Sequence, residues 1–392
     1  MATNFSAMAM CEKEPLLESE GPPFARCARL ALLGFLVFTS SHDHVFAADT
    51  EKKLIEFGWD EPSTAFLVTN LQSMARTPFD GCVFHAEYKA RDGSHGSFTW
   101  EAWGARAFNE ADLSGALADL KSLRPGKFKW NFLRFNTTPA RLDWFDDYSA
   151  VLSNAGLAAR LARAGNCPGI LFDIEQYEGP LFDYRKQKDA ANKSWELYAS
   201  QARTRGREVM QAFQSNFPGS RIFLTFGYSL PWSETDHGKN SLAECRYGLL
   251  APFLDGMIET AQAGTQLIDG YEISYGYKSD AQFINARKTV TQDLLPIVRD
   301  ADKYRAVGRL AFGLWLDRDW RTRGWDPTDV SKNYFSPEEF AASATAALNE
   351  CDEFVWIYTE SPRWWSPEPS PKTAVPTAYL EALSKAHPRR SP

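Results

Sequence analysis

The chain has 392 residues and a net charge of −7; it is 44% hydrophobic, 14% aromatic and 24% charged. That apolar fraction can offset the conformational entropy of a large fold, which excludes a disordered, collagen-like or simple coiled-coil chain. The acidic balance, with no basic recognition motif, excludes a nucleic-acid partner and points to a neutral substrate or one that brings its own cations.

From the N-terminus, Arg26 and Arg29 precede a short apolar run at 30–38 (LALLGFLVF), and Val45, Phe46 and Ala47 follow it. The run is too short to span a bilayer and ends in a small-residue pattern, so residues 1–47 read as a signal peptide cut after Ala47. A secreted or periplasmic protein without stable membrane insertion after cleavage is expected, with residues 48–392 as its domain and a monomer as its state. Cys82, Cys167, Cys245 and Cys351 remain, widely spaced and without a CxxC. They read as buried free thiols, not as a disulfide framework or a zinc ribbon.

Beyond residue 50 an apolar strand pattern followed by a helical one recurs. The strand candidates are 54–60 (LIEFGWD), 81–87 (GCVFHAE), 130–136 (WNFLRFN), 169–175 (GILFDIE), 222–228 (IFLTFGY), 266–272 (QLIDGYE), 309–317 (RLAFGLWLD) and 354–360 (FVWIYTE). Each is short and rich in β-branched or aromatic residues. Helix signals lie between them: Pro62 as a first helical residue, Asn109 with Asp112 as a cap, a long amphipathic run at 190–214, and a Ser336-Pro337-Glu338-Glu339 capping box. Eight alternating units predict a single (β/α)8 barrel, since no phosphate-binding glycine turn supports an open doubly wound sheet. Insertions after strands two (88–104), five (229–243) and seven (318–335) fall on the face where such barrels carry chemistry, and a helix at 378–386 is expected to cap the barrel.

The strand ends gather Trp59, Asp60, His85, Glu87, Asn136, Asp173, Glu175, Tyr228, Glu272, Trp315, Asp317, Trp356, Tyr358 and Glu360. Side chains alternate along a strand, so Asp173 with Glu175, Trp315 with Asp317, and Trp356 with Glu360 share inward faces. Carboxylates converging on one cleft repel, and at least one then holds its proton near neutral pH. The pattern suits a two-carboxylate general acid/base reaction, with one protonated carboxyl and a second as nucleophile or as base for water.

The segment at 169–177 (GILFDIEQY) resembles the fourth-strand signature of TIM-barrel glycoside hydrolases. The resemblance implies Glu175 as the acid that protonates the glycosidic oxygen and Asp173 as the neighbouring aspartate of the chitinase-like branch, although Leu171 stands where that branch has an earlier aspartate. The second carboxylate is left open among Glu360, Asp317 and Glu272. A carbohydrate substrate is implied, bound by Trp59, His85, Asn136, Tyr177, Tyr228, Tyr275, Trp315, Trp356 and Trp364, because flat aromatic faces pack against pyranose C–H groups while polar neighbours bond the hydroxyls. No cofactor and no metal are expected. Two alternatives stay open: a metal-dependent sugar isomerase or hydrolase using Glu175, Glu272 and Asp317, and a non-catalytic carbohydrate-binding barrel.

Overall fold

The computed structural model describes residues 51–365 and 372–387; the expected signal peptide at 1–47 lies outside the described residues. Among these, all eight expected strands form: β1 (Lys53–Glu56), β2 (Gly81–Phe84), β3 (Phe132–Asn136), β4 (Gly169–Asp173), β5 (Arg221–Leu224), β6 (Gln266–Asp269), β7 in two segments (Gly308–Leu310 and Phe312–Trp315) and β8 (Phe354–Tyr358). Neighbouring strands are parallel throughout. The first segment of β7 pairs with β6 and the second with β8, and only Ala311 separates them. One strand therefore supplies both edges and the sheet closes into a (β/α)8 barrel.

The outer helices are α1 (Thr64–Met74), α2 (Ser114–Ser122), α3 (Ser149–Ala164), α4 (Trp195–Asn216), α5 (Leu250–Thr260), α6 (Asp280–Lys288), α7 (Pro337–Glu350) and α8 (Thr377–Ala386). No helix among the described residues is long and apolar enough to cross a membrane. The capping box at α7 forms as read: the Ser336 hydroxyl accepts from Glu339 N, the Glu339 carboxylate accepts from Ser336 N, and Pro337 opens the helix. Pro62 instead lies before α1, whose N-cap is Ser63. Asn109 and Asp112 bond each other's backbone N–H in a turn just ahead of α2, so they shape its approach and do not cap it. The helix expected to cap the barrel is α8, which buries Tyr379 and Leu383; the Tyr379 hydroxyl donates to Phe335 O, just before α7.

Strand alternation divides the core in two. Ile55, Phe57, Val83, Phe132, Leu171, Phe223, Ile268, Ala311, Phe354 and Trp356 fill the barrel interior, while Leu54, Cys82, Leu133, Phe172, Leu224 and Leu314 face the helices. Phe132, Phe223 and Phe354 meet edge-on or tilted at 5.4 to 5.7 Å, plugging the barrel below the strand ends. Lys53 and Arg221 close the lower end over Trp130 and Phe354, so the site's polar side chains gather at the mouth formed by the C-terminal strand ends. Cys82, Cys167, Cys245 and Cys351 are all buried and free.

Candidate active site

Seven of the eight strands end earlier than their apolar patterns suggest, and at three of them the difference builds the site. β4 stops at Asp173, β6 at Asp269 and β8 at Tyr358, so Glu175, Glu272 and Glu360 stand on the turns that follow. After β6, Gly270 lies so close to Leu224 O that a Cβ would clash at 2.3 Å, and Tyr271 takes a left-handed conformation (φ 44°). The chain then turns into a short 3-10 helix, Glu272–Gly276, that carries Glu272 inward. Trp356 holds this turn from beneath, its indole N–H donating to Gly270 O at 2.8 Å, and Ser274 Oγ donates to Gly313 O at 2.8 Å.

On the β3–β4 side the buried Asp173 carboxylate is a hub. Its Oδ2 accepts from Arg134 Nη2 (2.5 Å), Tyr177 OH (3.1 Å) and Asn136 Nδ2 (3.2 Å), and its Oδ1 accepts the backbone N–H of Glu175 (3.1 Å). The Arg134 guanidinium also donates from Nη1 to Glu61 at 2.7 Å and lies 5.1 Å from both the Phe57 and Trp100 rings. His85 Nδ1 is 3.6 Å from the other Glu61 oxygen. Trp100, brought in by the insertion after β2, packs on Tyr177 at 5.0 Å. That insertion contains the expected hairpin, Glu87–Lys89 against His95–Ser97.

Across the mouth, Glu360 accepts from Trp320 Nε1 (2.6 Å), Arg321 Nη2 (2.5 Å) and Tyr358 OH (3.3 Å). Asp317 accepts from Trp315 Nε1 and from the backbone N–H groups of Glu360 and Ser361, at 2.9, 3.1 and 2.8 Å. Burial pushes Asp317 up to about 6 although these amides pull the other way. Both side chains thus spend their oxygens on holding the β8 turn and the loop after β7. An aromatic wall joins them: Tyr275 stacks on Tyr358 at 5.4 Å, Trp315 lies 5.7 Å from Tyr275, and the half-exposed Trp59 donates its indole N–H to Tyr358 OH at 3.0 Å.

Glu175 and Glu272 differ from these. Neither belongs to a salt bridge among the described residues, and each has a phenol beside it, Tyr177 and Tyr275 respectively. Burial, then the Asp173 charge, pushes Glu175 up to about 7. Burial, then the charge of Glu175, pushes Glu272 well above the usual carboxylate range. Buried Tyr247 and partly buried Tyr275 and Tyr358 each feel both glutamates, which places the pair among the β5, β6 and β8 sides of one pocket. Each carboxylate raises the other, so like-charge repulsion opposes ionising both and favours a proton shared within the pair.

The structure therefore brings Trp59, His85, Asp173, Glu175, Tyr177, Glu272, Tyr275, Trp315, Asp317 and Glu360 to the mouth, with Asn136 buried behind Asp173. Three expected substrate-facing residues lie elsewhere. Tyr228 faces the helices and donates to Asp255 Oδ1 at 2.8 Å, because the β5 strand ends at Leu224 and the chain turns outward before it. Trp356 is buried in the barrel interior, and Trp364 packs edge-on against Phe79 at 4.8 Å in the outer core. Trp232, Trp325 and Trp365 likewise pack into or against that core. Glu61, Trp100, Tyr247 and Arg321 were not legible as site residues. Glu61 follows Trp59-Asp60 just past a strand end, the one local signal that could have marked it. No cluster of three or more His, Cys, Asp or Glu able to hold a metal forms among the described residues. The oxygens that Asp317 would bring to Glu175 and Glu272 are held by amides and an indole.

No protein-family model matches the chain. No curated protein matches it either. Among solved structures, it is similar to a glycoside hydrolase family 5 enzyme from Prevotella bryantii (10% identity, 84% of this chain and 88% of that one, TM-score 0.47). It is also similar to a GH18 chitinase from Pseudoalteromonas aurantia (10% identity, 86% and 100%, TM-score 0.43). A third is an endo-beta-mannanase/endo-beta-glucanase of Prevotella bryantii (9% identity, TM-score 0.46); the match covers 84% of this chain but only 44% of that one. At these scores the likeness carries no functional argument.

Proposed function

We propose that the protein is a secreted glycoside hydrolase that cleaves an O-glycosidic bond of a poly- or oligosaccharide, with Glu175 as general acid and Glu272 as the second carboxylate. One observation carries the reading: of the carboxyls around the mouth, Asp173, Glu61 and Glu360 are bound to arginines and Asp317 to backbone amides, whereas Glu175 and Glu272 share a pocket with no cation bound to either. A partly buried carboxyl without a cation is held toward its protonated form, and because like charge opposes ionising both, one of the pair can carry the proton a general acid requires while the other is the ionised partner.

In the proposed reaction Glu175 gives its proton to the glycosidic oxygen as the C–O bond breaks. The Glu272 carboxylate either bonds to the anomeric carbon or takes a proton from the water that does. Asp173 fixes the turn that presents Glu175, and Trp59, Tyr275, Trp315 and Tyr358 offer aromatic faces to the sugar. Glu360 and Asp317 build the wall. A monomer without cofactor or metal, leaving the cell after cleavage at Ala47, completes the proposal.

The test is release of reducing sugar from a panel of polysaccharides and aryl glycosides by protein starting at residue 48, with Glu175→Gln, Glu272→Gln and an EDTA arm. Turnover should fall by about 10³-fold or more in both variants, with glycan binding retained. An active Glu175→Gln overturns the acid assignment, and loss of activity with EDTA overturns the metal-free mechanism. Saturable glycan binding without turnover would replace the enzyme by a binding barrel.

A further inference from the structure

Glu61 has no role in the proton transfers proposed above, yet it is nearly buried and committed to one partner. Its Oε2 binds Arg134 Nη1 at 2.7 Å, and its Oε1 makes no hydrogen bond, lying 3.6 Å from His85 Nδ1. Arg134 in turn spans from the β1–α1 loop to β4, with Nε and Nη2 on Asp173, and is wedged between Phe57 and Trp100. Asp173 then holds the backbone N–H of Glu175. The result is an unbroken chain of charges, Glu61, Arg134 and Asp173, that ends on the turn bearing the proposed acid.

The charge sum decides what this chain does. Arg134 alone against Asp173 would present a neutral pair to Glu175. A second carboxylate on the far side of the guanidinium makes the triad net negative, since one cation is shared between two anions. Asp173 is left acting on Glu175 as an anion, the direction that favours a proton there. We propose that Glu61 is a positioning residue that sets the proton occupancy of Glu175 through Arg134 and Asp173. The proposal rests on Glu175 being the acid. The groups facing Glu175 are Asp173 from β4 and Tyr177 from the turn after it, Arg134 from β3, Tyr247 from the loop after β5, Glu272 and Tyr275 from the β6 turn, Tyr358 from β8 and Glu360 from the turn after it. The titratable groups that face Glu61, besides Arg134, are His85, whose Nδ1 is 3.6 Å away, and the buried Glu56 and Cys82 of β1 and β2.

Removing the Glu61 charge without changing its shape, Glu61→Gln, should move the basic limb of the kcat/KM profile down by about half to one pH unit and leave the acidic-side plateau within about threefold. The same displacement should appear in the 13C titration of the Glu175 carboxyl in substrate-free protein, which separates charge from any change in catalysis. Glu61→Asp keeps the charge, and returns the limb toward that of the parent. Both limbs unchanged in a folded Glu61→Gln protein overturns the proposal, as does a uniform loss at every pH with an unmoved carboxyl titration. If Glu175→Gln retains activity, the acid assignment has failed; if that variant is inactive while Glu61→Gln leaves the titration in place, only the role of Glu61 has.

Discussion

Replacing Glu56 should make the protein's stability less dependent on pH. Glu56 lies on β1 opposite Cys82, on the strand face that also carries Leu54 toward the helices, and it is fully buried. Neither carboxylate oxygen has a hydrogen-bond partner. Burial pushes Glu56 well above the usual carboxylate range, the charges of Asp60 and Glu61 add to this, and Arg363 opposes it. An acid whose folded value is raised contributes fully below its unfolded value, near 4.3. Its contribution is lost as pH rises from there toward the folded value, because the unfolded chain ionises first. In that window one proton separates the two states, so the parent loses about 1.4 kcal/mol per pH unit relative to Glu56→Gln. For a chain of this size that is about 2–3 °C in Tm per pH unit. Thermal or urea unfolding of both proteins from pH 4.5 to 8.5 reads the difference. A constant offset from the buried amide does not matter, since only the slope is compared. Parallel curves across the range would show that Glu56 titrates alike in folded and unfolded chains, and would refute the reasoning.

Three further outcomes follow from the site and its surroundings. With Glu175 held up to about 7 by burial and Asp173, kcat/KM should fall as pH rises through that value, because the proton needed for the leaving group is lost; a basic limb below pH 5 would contradict this. Tyr228→Phe should cost about 1–2 kcal/mol of stability through the lost bond to Asp255 and leave KM alone, whereas Trp59→Ala should raise KM about three- to tenfold with little change in Tm; the reverse pattern would exchange their places.

Barrel topology was readable because strands buried on both faces carry continuous apolar runs, and eight such runs alternating with helical spacing leave few folds open. Where each run ceases to be strand was not readable. Residues 266–272 look continuous, yet Gly270 must pass within contact of Leu224 O and Tyr271 turns left-handed, facts that depend on β5. The same failure misplaced Tyr228: counting alternation beyond Leu224 puts it inside, and the actual turn puts it against Tyr304 and Asp255. Trp356 was correctly placed facing inward, but its indole lies below the mouth and serves the Glu272 turn.

Ranking the carboxylates needed the one thing a sequence omits, the identity of their partners. Asp317 and Glu360 end strands in good register with Glu175, so alternation alone favours them at least as much as Glu272. In the folded chain Glu360 meets Trp320 and Arg321 from the loop after β7, and Asp317 meets the amides of the β8 turn. None of these donors is near its acceptor by any short-range pattern: Arg321 is 39 residues from Glu360, and Ser361 is 44 from Asp317. Each donor stabilises the ionised form of its carboxylate and occupies its lone pairs, which suits a structural strut better than a group that must change protonation within one turnover. The 3-10 turn lifts Glu272 off β6 into the pocket shared with Glu175, where the Tyr275 phenol bonds it and, among the described residues, no arginine or backbone amide does. Glu272, which alternation does not single out, is thus bound to neither an arginine nor a backbone amide, and a kinetic ordering in which Glu360→Gln is milder than Glu272→Gln is the direct consequence.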